Sequence, residues 1–341
     1  MESDLEVVTV ADVDGFLGLE AEWNTLLQRT RADTVFLTWQ WQKAWWDCFG
    51  EEGRLAVLTA RDRGELVALA PFYIAAPNGS SGTLRLIGGV EVSDYLDLIV
   101  ADNKEGPAYR ALWEFLTSEC AYPWRGMDLH NVPGLSGTLE RLPTIAGGTD
   151  GVRVTRQVED VCPVISLPPS WEDYLRLLTK KQRHEIRRKL RKADREATVD
   201  WYYVEDEETL TREVEGFIAL HQRSAAQKKE FMDQRMQRFF HRVASSAFDQ
   251  GWLKLAFLVV NEVKAATMFC FDYNDSILVY NSGYDPRMHP SLSTGIVLLS
   301  YCIRDAIAKG RRTFDFLRGA EDYKYRFGGE DREVYNLRIT R

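Results

Sequence analysis

Three stretches of this sequence combine residue types that do chemistry. In the first, residues 314–328, Asp315 stands between Phe314 and Phe316. In a strand it therefore points away from both rings, toward any cleft on its own side. Arg318, Glu321, Tyr323, Lys324 and Arg326 follow closely, a mixture suited to holding an anion and moving a proton; a solvated loop with local salt bridges is the competing reading. In the second, residues 280–295, the small residues Ser291, Ser293, Thr294 and Gly295 precede an apolar helical run. The first N–H groups of such a helix lack internal partners and accept a phosphate or pyrophosphate, and Arg287 adds charge. Ser and Thr are also the usual caps of an ordinary helix. The third, 180–196, carries nine Lys/Arg against three acids, about +6 in all, beside an apolar stripe of Ile186, Leu190, Ala193 and Ala197. It reads as a helix docked on one side, whose basic face is either simply solvated or meets RNA, nucleotide phosphates or another phosphate-bearing partner.

Other chemistries leave no mark. The sequence has no GxSxG elbow, HExxH, Walker A loop or GxGxxG. Its five His (His130, His184, His221, His241, His289) are scattered, and its five Cys (Cys48, Cys120, Cys162, Cys270, Cys302) lie far apart without ligand spacing. No metal is expected, and reduced thiols in a cytoplasm fit better than a disulfide scaffold. The start, Met1 to Glu6, is acidic and unlike a signal peptide, and no apolar run approaches the roughly 20 residues of a membrane span. The 43 basic and 51 acidic residues give a net charge of −8, which argues against a protein that coats nucleic acid over its whole surface.

The elements that must position these residues follow one plan twice in the 341-residue chain. In the first half a Trp-rich helix over 39–50 precedes a hairpin over 55–70, with its turn at Asp62-Arg63-Gly64. Runs at 83–87 and 95–100, a helix over 107–120 and a strand over 127–130 complete it. In the second half the helix is 239–248 and the hairpin is 253–260 with 265–273. The next strand is 276–283, the next helix 294–309 with Gly310 as its stop, and 314–317 is the last strand. Asp128 and Asp315 fall at matching places. The joint lies near Pro168-Pro169, giving domains 1–167 and 168–341. The expected fold is mixed α/β, with a largely antiparallel sheet flanked by helices in each half.

The order of these pieces resembles the GNAT-fold acyltransferases of the BioF2-like or CelD-like type, which carry two GNAT-like domains in tandem and are distant relatives of the Fem-type aminoacyl-tRNA-dependent transferases. The resemblance runs from Phe36-Leu-Thr-Trp39 to Gly328. It is carried by Ser93-Asp-Tyr95, Pro163-Val-Ile-Ser-Leu-Pro168, Lys181-Gln-Arg-His-Glu-Ile-Arg-Arg188 and Leu220-His-Gln-Arg223, and most specifically by Phe314-Asp-Phe-Leu-Arg-Gly319 with Tyr323-Lys324. It implies transfer of an acyl group from acyl-CoA, acetyl-CoA or a similar thioester to an amine. The strand that includes Val279, Tyr280, Asn281, Ser282 and Gly283 would then hold the pantetheine arm. Arg287, Ser291, Ser293, Thr294, Gly295 and Lys324 would hold the phosphates. The GNAT loop usually reads Arg/Gln-x-x-Gly-x-Gly/Ala; here Pro290 and Leu292 stand where the glycines would, and the first Gly is Gly295. The matching first-half loop, 88–95, carries acids and no basic residue, so that half is expected to have lost donor binding and to shape the acceptor cleft through Asp94, Tyr95 and the nearby Asp97. His221, Arg223 and Arg318 are further acceptor-side candidates.

The chemistry needs few parts. An alkylammonium, with a pKa of about 10.4, must lose a proton before attacking a thioester. Asp315 and Glu321 are the candidate bases, with Asp285 behind them. Strand N–H groups near Ser282 would polarise the carbonyl, and Tyr284 or Tyr323 would protonate the departing thiolate. Two other readings stand beside this one: a Fem-type transferase with tRNA on the 180–196 helix, and a non-catalytic binding protein of the same fold.

Overall fold

In the computed structural model, which describes residues 5–75, 82–118 and 124–341, the chain forms two compact units, Met1–Val161 with Arg332–Arg341, and Cys162–Asp331. Met1 to Asp4, most of the acidic start expected to be unlike a signal peptide, and Cys120, one of the expected reduced thiols, lie outside the described residues.

The first unit opens with β1 (Glu6–Val10), α1 (Val13–Leu17), α2 (Glu20–Leu27) and the Trp-rich α3 (Trp39–Phe49). The Thr38 side chain caps α3 by accepting from Trp41 N, and Trp39, Trp41 and Trp45 are buried. The expected hairpin is present but bent. Its arms are β2 (Gly53–Leu55) running into β3 (Val57–Asp62), and β4 (Glu65–Ala70) running into β5 (Phe72–Ala75). Pro71 has no N–H to give the ladder, and there the arms pass from one sheet to another. Then follow β6 (Gly82–Leu86), β7 (Ile99–Val100), α4 (Glu105–Ser118), β8 (Trp124–Pro133), α5 (Gly137–Gly147) and β9 (Arg153–Ser166). The run expected at 95–100 is strand only at its end, because buried Asp97 turns its carboxylate onto Leu98 N and the Thr138 hydroxyl. The strands group as β1-β3-β4-β7 and as β8-β6-β5-β2.

The second unit begins in the last residues of β9. It contains α6 (Trp171–Leu177), α7 (Lys180–Glu196), β10 (Val199–Tyr203), α8 (Glu207–Ser224), α9 (Ala226–Phe231), α10 (Gln234–Asp249), β11 (Leu253–Val260), β12 (Val263–Tyr273), β13 (Ser276–Tyr284), α11 (Thr294–Ala308), β14 (Thr313–Asp315) and α12 (Asp322–Arg326). The strand order is β10-β11-β12-β13-β14, then Val164 to Ser166 of β9; only β13–β14 pair in parallel. One face is a core in which Ile186 and Ala193 of α7 and Val297, Cys302 and Ile303 of α11 cover Met268, Cys270, Ile277, Val279, Phe314 and Phe316. The other face carries a ring cluster of Phe217 on α8, Phe240 on α10, and Phe269 and Tyr280 on the sheet.

β15 (Glu330–Thr340) ends the chain and pairs antiparallel with β8. The sequence reading gives all of 168–341 to one domain. By packing, the last ten residues group with the first unit, and the change of unit falls at 161/162, within β9. The repeat of plan is real but unequal: one sheet serves the second half, two serve the first.

Candidate active site

β13 is the element on which the site is built. It pairs with β14 only through Leu278↔Asp315, and the next residue, Phe316, gives its N–H to Pro163 O instead. β13 runs on for six more residues, so past Leu278 one of its edges has parted from β14. A bulge falls in this segment: Asn281 faces Phe269 and Val279 faces Cys270 on β12, leaving Tyr280 between them. Beyond it, Asp285 N returns to Ala265 O. Alternation along an antiparallel pair then turns the backbone groups of Gly283 and Asn281 toward β12, and those of Ser282 and Tyr284 toward the parted edge.

A cleft of about 480 Å³ lies against this strand, bounded by Val279, Ser282, Gly283 and Tyr284, the 285–290 loop, the start of α11, and Tyr323. The floor is apolar, from Met268, Ile296 and Leu299; the far end is polar. There α11 begins at Ser293, a left-handed residue with φ 55° and no capping side chain. Ile296 and Val297 donate back to Ser293 O, whereas among the described residues the N–H groups of Thr294 and Gly295 have no such partner, and a Cβ on Gly295 would meet open space. Lys189 reaches the same cleft from α7. Burial holds its ammonium below the usual lysine range; Glu185, 3.7 Å away, works the other way. An open helix start of 15 residues with a lysine beside it is a place for a phosphate group.

The sequence candidates divide sharply. Val279, Ser282, Gly283, Ser293, Thr294 and Gly295 line the cleft, as do Tyr284 and Tyr323. Burial, with Glu321 and Cys270 nearby, pushes the Tyr323 phenol well above its usual pKa, so it stays protonated. Tyr280 does not line the cleft: it alternates with Val279, and its ring packs against Phe240 and Phe271 on the opposite face. Asn281 turns the same way, its Oδ1 2.9 Å from His221 Nε2. Arg287, expected on a phosphate, folds back onto buried Asp285 (Nε to Oδ1, 3.3 Å) with its side chain 81% exposed; Ser291 points to solvent. Lys324, also expected on a phosphate, is 2% exposed and gives Nζ to the carbonyls of Leu317, Arg318 and Gly319 at 2.9, 2.8 and 2.9 Å. It organises the loop after β14.

Of the candidate bases, Asp315 is likewise occupied by structure. Asp315 is buried and accepts Leu317 N at 2.7 Å, holding Leu317 at φ 57°, which a bulky residue adopts only under constraint. Glu321 lies 2.9 Å from Lys324 Nζ and is otherwise exposed. Arg318 belongs to the same loop. Arg223 is exposed on α8, whereas His221 is buried, and burial first and Lys228 second bring its pKa down to about 4, so it is neutral at pH 7. Asp94 and Tyr95 lie in the first unit, where the 88–95 loop is filled from within. Trp41 Nε1 donates to Ser93 Oγ (2.7 Å), Ser93 Oγ to Gly88 O (2.8 Å), and Asn131 Nδ2 to Ser93 O (2.7 Å).

Sequence reading missed two lysines. Lys189 was inside the basic stretch, and its place three residues after Ile186 puts it on the inward arc, a signal that was present. Lys228 on α9 donates Nζ to Ser282 O at 2.6 Å, and nothing local in the sequence marks it. Among the described residues no group of three metal-ligating side chains occurs, and no helix is long and apolar enough to cross a membrane.

Residues 180–325 match the family model of the acetyltransferase (GNAT) domain. No curated protein sequence matches the chain. Among solved structures it is similar to FemX, with a TM-score of 0.66 at 10% identity over 97% of this chain and 96% of that one. It is also similar to the C-terminal domain (DUF2156) of a putative lysylphosphatidylglycerol synthetase from Agrobacterium fabrum (TM-score 0.54, 10% identity, 96% and 92% covered). A tandem GNAT protein from the clavulanic acid biosynthesis pathway superposes with a TM-score of 0.50 at 15% identity over 98% of each chain. The chain therefore has the tandem GNAT fold, and its residues 180–325 are the part that matches the GNAT acetyltransferase domain.

Proposed function

We propose that the protein is an N-acyltransferase that moves an acyl group from acyl-CoA, or a similar thioester, to an amine by direct attack, with the donor in the cleft of the second unit. The observation that carries this reading is the uncapped start of α11, facing a cleft that Lys189 also enters. Thr294 and Gly295 N–H and the Lys189 ammonium bind the donor's phosphates. The thioester arm lies along Val279, Ser282 and Gly283 over the apolar floor. Tyr323, kept protonated, donates to the leaving sulfur, and Glu321 takes the proton of the attacking amine. The filled 88–95 loop supports a first unit that no longer binds a donor.

Acetyl-CoA is expected to raise the melting temperature and to release free thiol when primary amines are supplied. If acyl-CoA of no chain length does either, the reading fails. The Fem-type alternative, with aminoacyl-tRNA as donor, is favoured by one observation: Lys180, Lys181, His184, Arg187, Arg188, Arg191 and Arg195 are exposed together on α7. It predicts salt-sensitive tRNA binding that disappears when Arg187, Arg188 and Arg191 become Ala.

A further inference from the structure

Where β13 and β14 part, the exposed strand edge is met by side chains from the α8–α9 corner in place of a strand. Ser224 Oγ accepts Tyr284 N at 2.8 Å and donates to Tyr284 O at 3.1 Å. Lys228 Nζ donates to Ser282 O at 2.6 Å. Ser224 therefore occupies the Tyr284 N–H, its one proton being shared between Leu220 O (2.9 Å) and Tyr284 O, whereas Lys228 occupies only the carbonyl of Ser282. The Ser282 N–H, turned to the same edge by alternation, stays beside it. An ammonium carries three N–H donors, and among the described residues only the one to Ser282 O is used. Lys228 is held there by its own helix: Met232 N bonds to Lys228 O, and Gln222 and Gln237 both donate to Met232 O.

We propose that Lys228 is a catalytic residue that, with the Ser282 N–H, receives the oxygen of the acyl carbonyl in the opening between β13 and β14. This rests on the acyltransferase reading above. In the step it serves, the amine nitrogen attacks the carbonyl carbon, a C–N bond forms, and the C=O π pair moves onto oxygen. The Lys228 ammonium and the Ser282 N–H face that oxyanion. The C=O bond then re-forms as the C–S bond breaks, the pair leaves on sulfur, and the proton lost by the amine balances the one gained by the thiolate. Burial holds the Lys228 ammonium below the usual lysine range, and the nearby Glu321 carboxylate works the other way.

The test uses the ketone analogue of acetyl-CoA, labelled with ¹³C at the carbonyl, and reads the carbonyl stretch by difference infrared spectroscopy with binding followed in parallel. Wild type and Lys228→Arg are expected to move the band to lower wavenumber. Lys228→Met is expected to bind within threefold of wild type and leave the band where free analogue absorbs. Lys228→Gln keeps a donor for the Ser282 carbonyl, guards against a variant that fails to fold, and is expected to lose more than half of the shift. Removing one such donor also lowers turnover about 100-fold or more. A wild-type band shift in both Lys228→Met and Lys228→Gln overturns the proposal and leaves the donor site standing. Absence of saturable binding to wild type overturns the donor reading itself, and this proposal with it.

Discussion

Tyr323 is the residue whose assigned role depends most on its surroundings. A phenol pushed up by burial keeps its proton at neutral pH, so Tyr323 stands as a donor and not as the base that takes the amine's proton. Tyr323→Phe is expected to lower kcat about 10- to 100-fold while donor affinity, measured by calorimetry, stays within threefold. Asp315 makes a contrasting case. Its carboxylate holds Leu317 N at 2.7 Å in a left-handed turn, so Asp315→Ala is expected to cost about 1–3 kcal/mol in denaturant unfolding. Unchanged stability with lost turnover would return Asp315 to the role of base. Its placement between two Phe was legible in the sequence. That its acceptor is used by the backbone two residues on was not, because a tight turn depends on φ values that composition does not encode.

At the scale of elements, β13 and α8 approach so closely at Gly283 that a Cβ there would lie 2.4 Å from His221 N. Gly283→Ala must push helix from strand, and we expect a loss of about 1–3 kcal/mol and a lower Tm with the donor cleft disturbed. The hairpin of β11 and β12, the long helix α11 and its Gly310 stop could be read directly, because period-2 and period-3.6 patterns and end signals agree there. The loop before α11 is legible from Ser293, Thr294 and Gly295, which line the cleft. The bulge at Tyr280 was not readable: a single extra residue puts Asn281 on the same face as Tyr280, away from the cleft, without changing the alternating pattern that names the strand. Lys228 escaped for a related reason, since its partner is a backbone carbonyl 54 residues away.

For the whole molecule, the two units carry different loads. In the first, His130 sits between Asp128 and Glu159, with Nε2 3.1 Å from Asp128 Oδ2, and Asn336 and Arg338 of β15 join Asp128. The carboxylates raise the His130 pKa to about 9; burial opposes Asp128's charge, but its hydrogen bonds hold its pKa well below the usual range. A raised histidine stabilises fully below its unfolded pKa, and that stability is lost as pH rises through the folded value. Between about pH 6.5 and 9 the fold should therefore lose on the order of 3 kcal/mol from this group, and His130→Asn should flatten that slope in denaturant titrations. On the acid side, a lowered Asp128 contributes above its unfolded pKa, and the contribution falls away as pH drops below about 4. The proposed function gives donor binding to the second unit alone, so its most direct test is calorimetric titration of acetyl-CoA into wild type and Gly295→Asp. The substitution meets open space but puts a negative charge at the start of α11. One acetyl-CoA per chain, with affinity at least tenfold weaker in Gly295→Asp and an unchanged Tm for the free protein, is the expected result. Two equivalents per chain, or equal affinity in the variant, would contradict it.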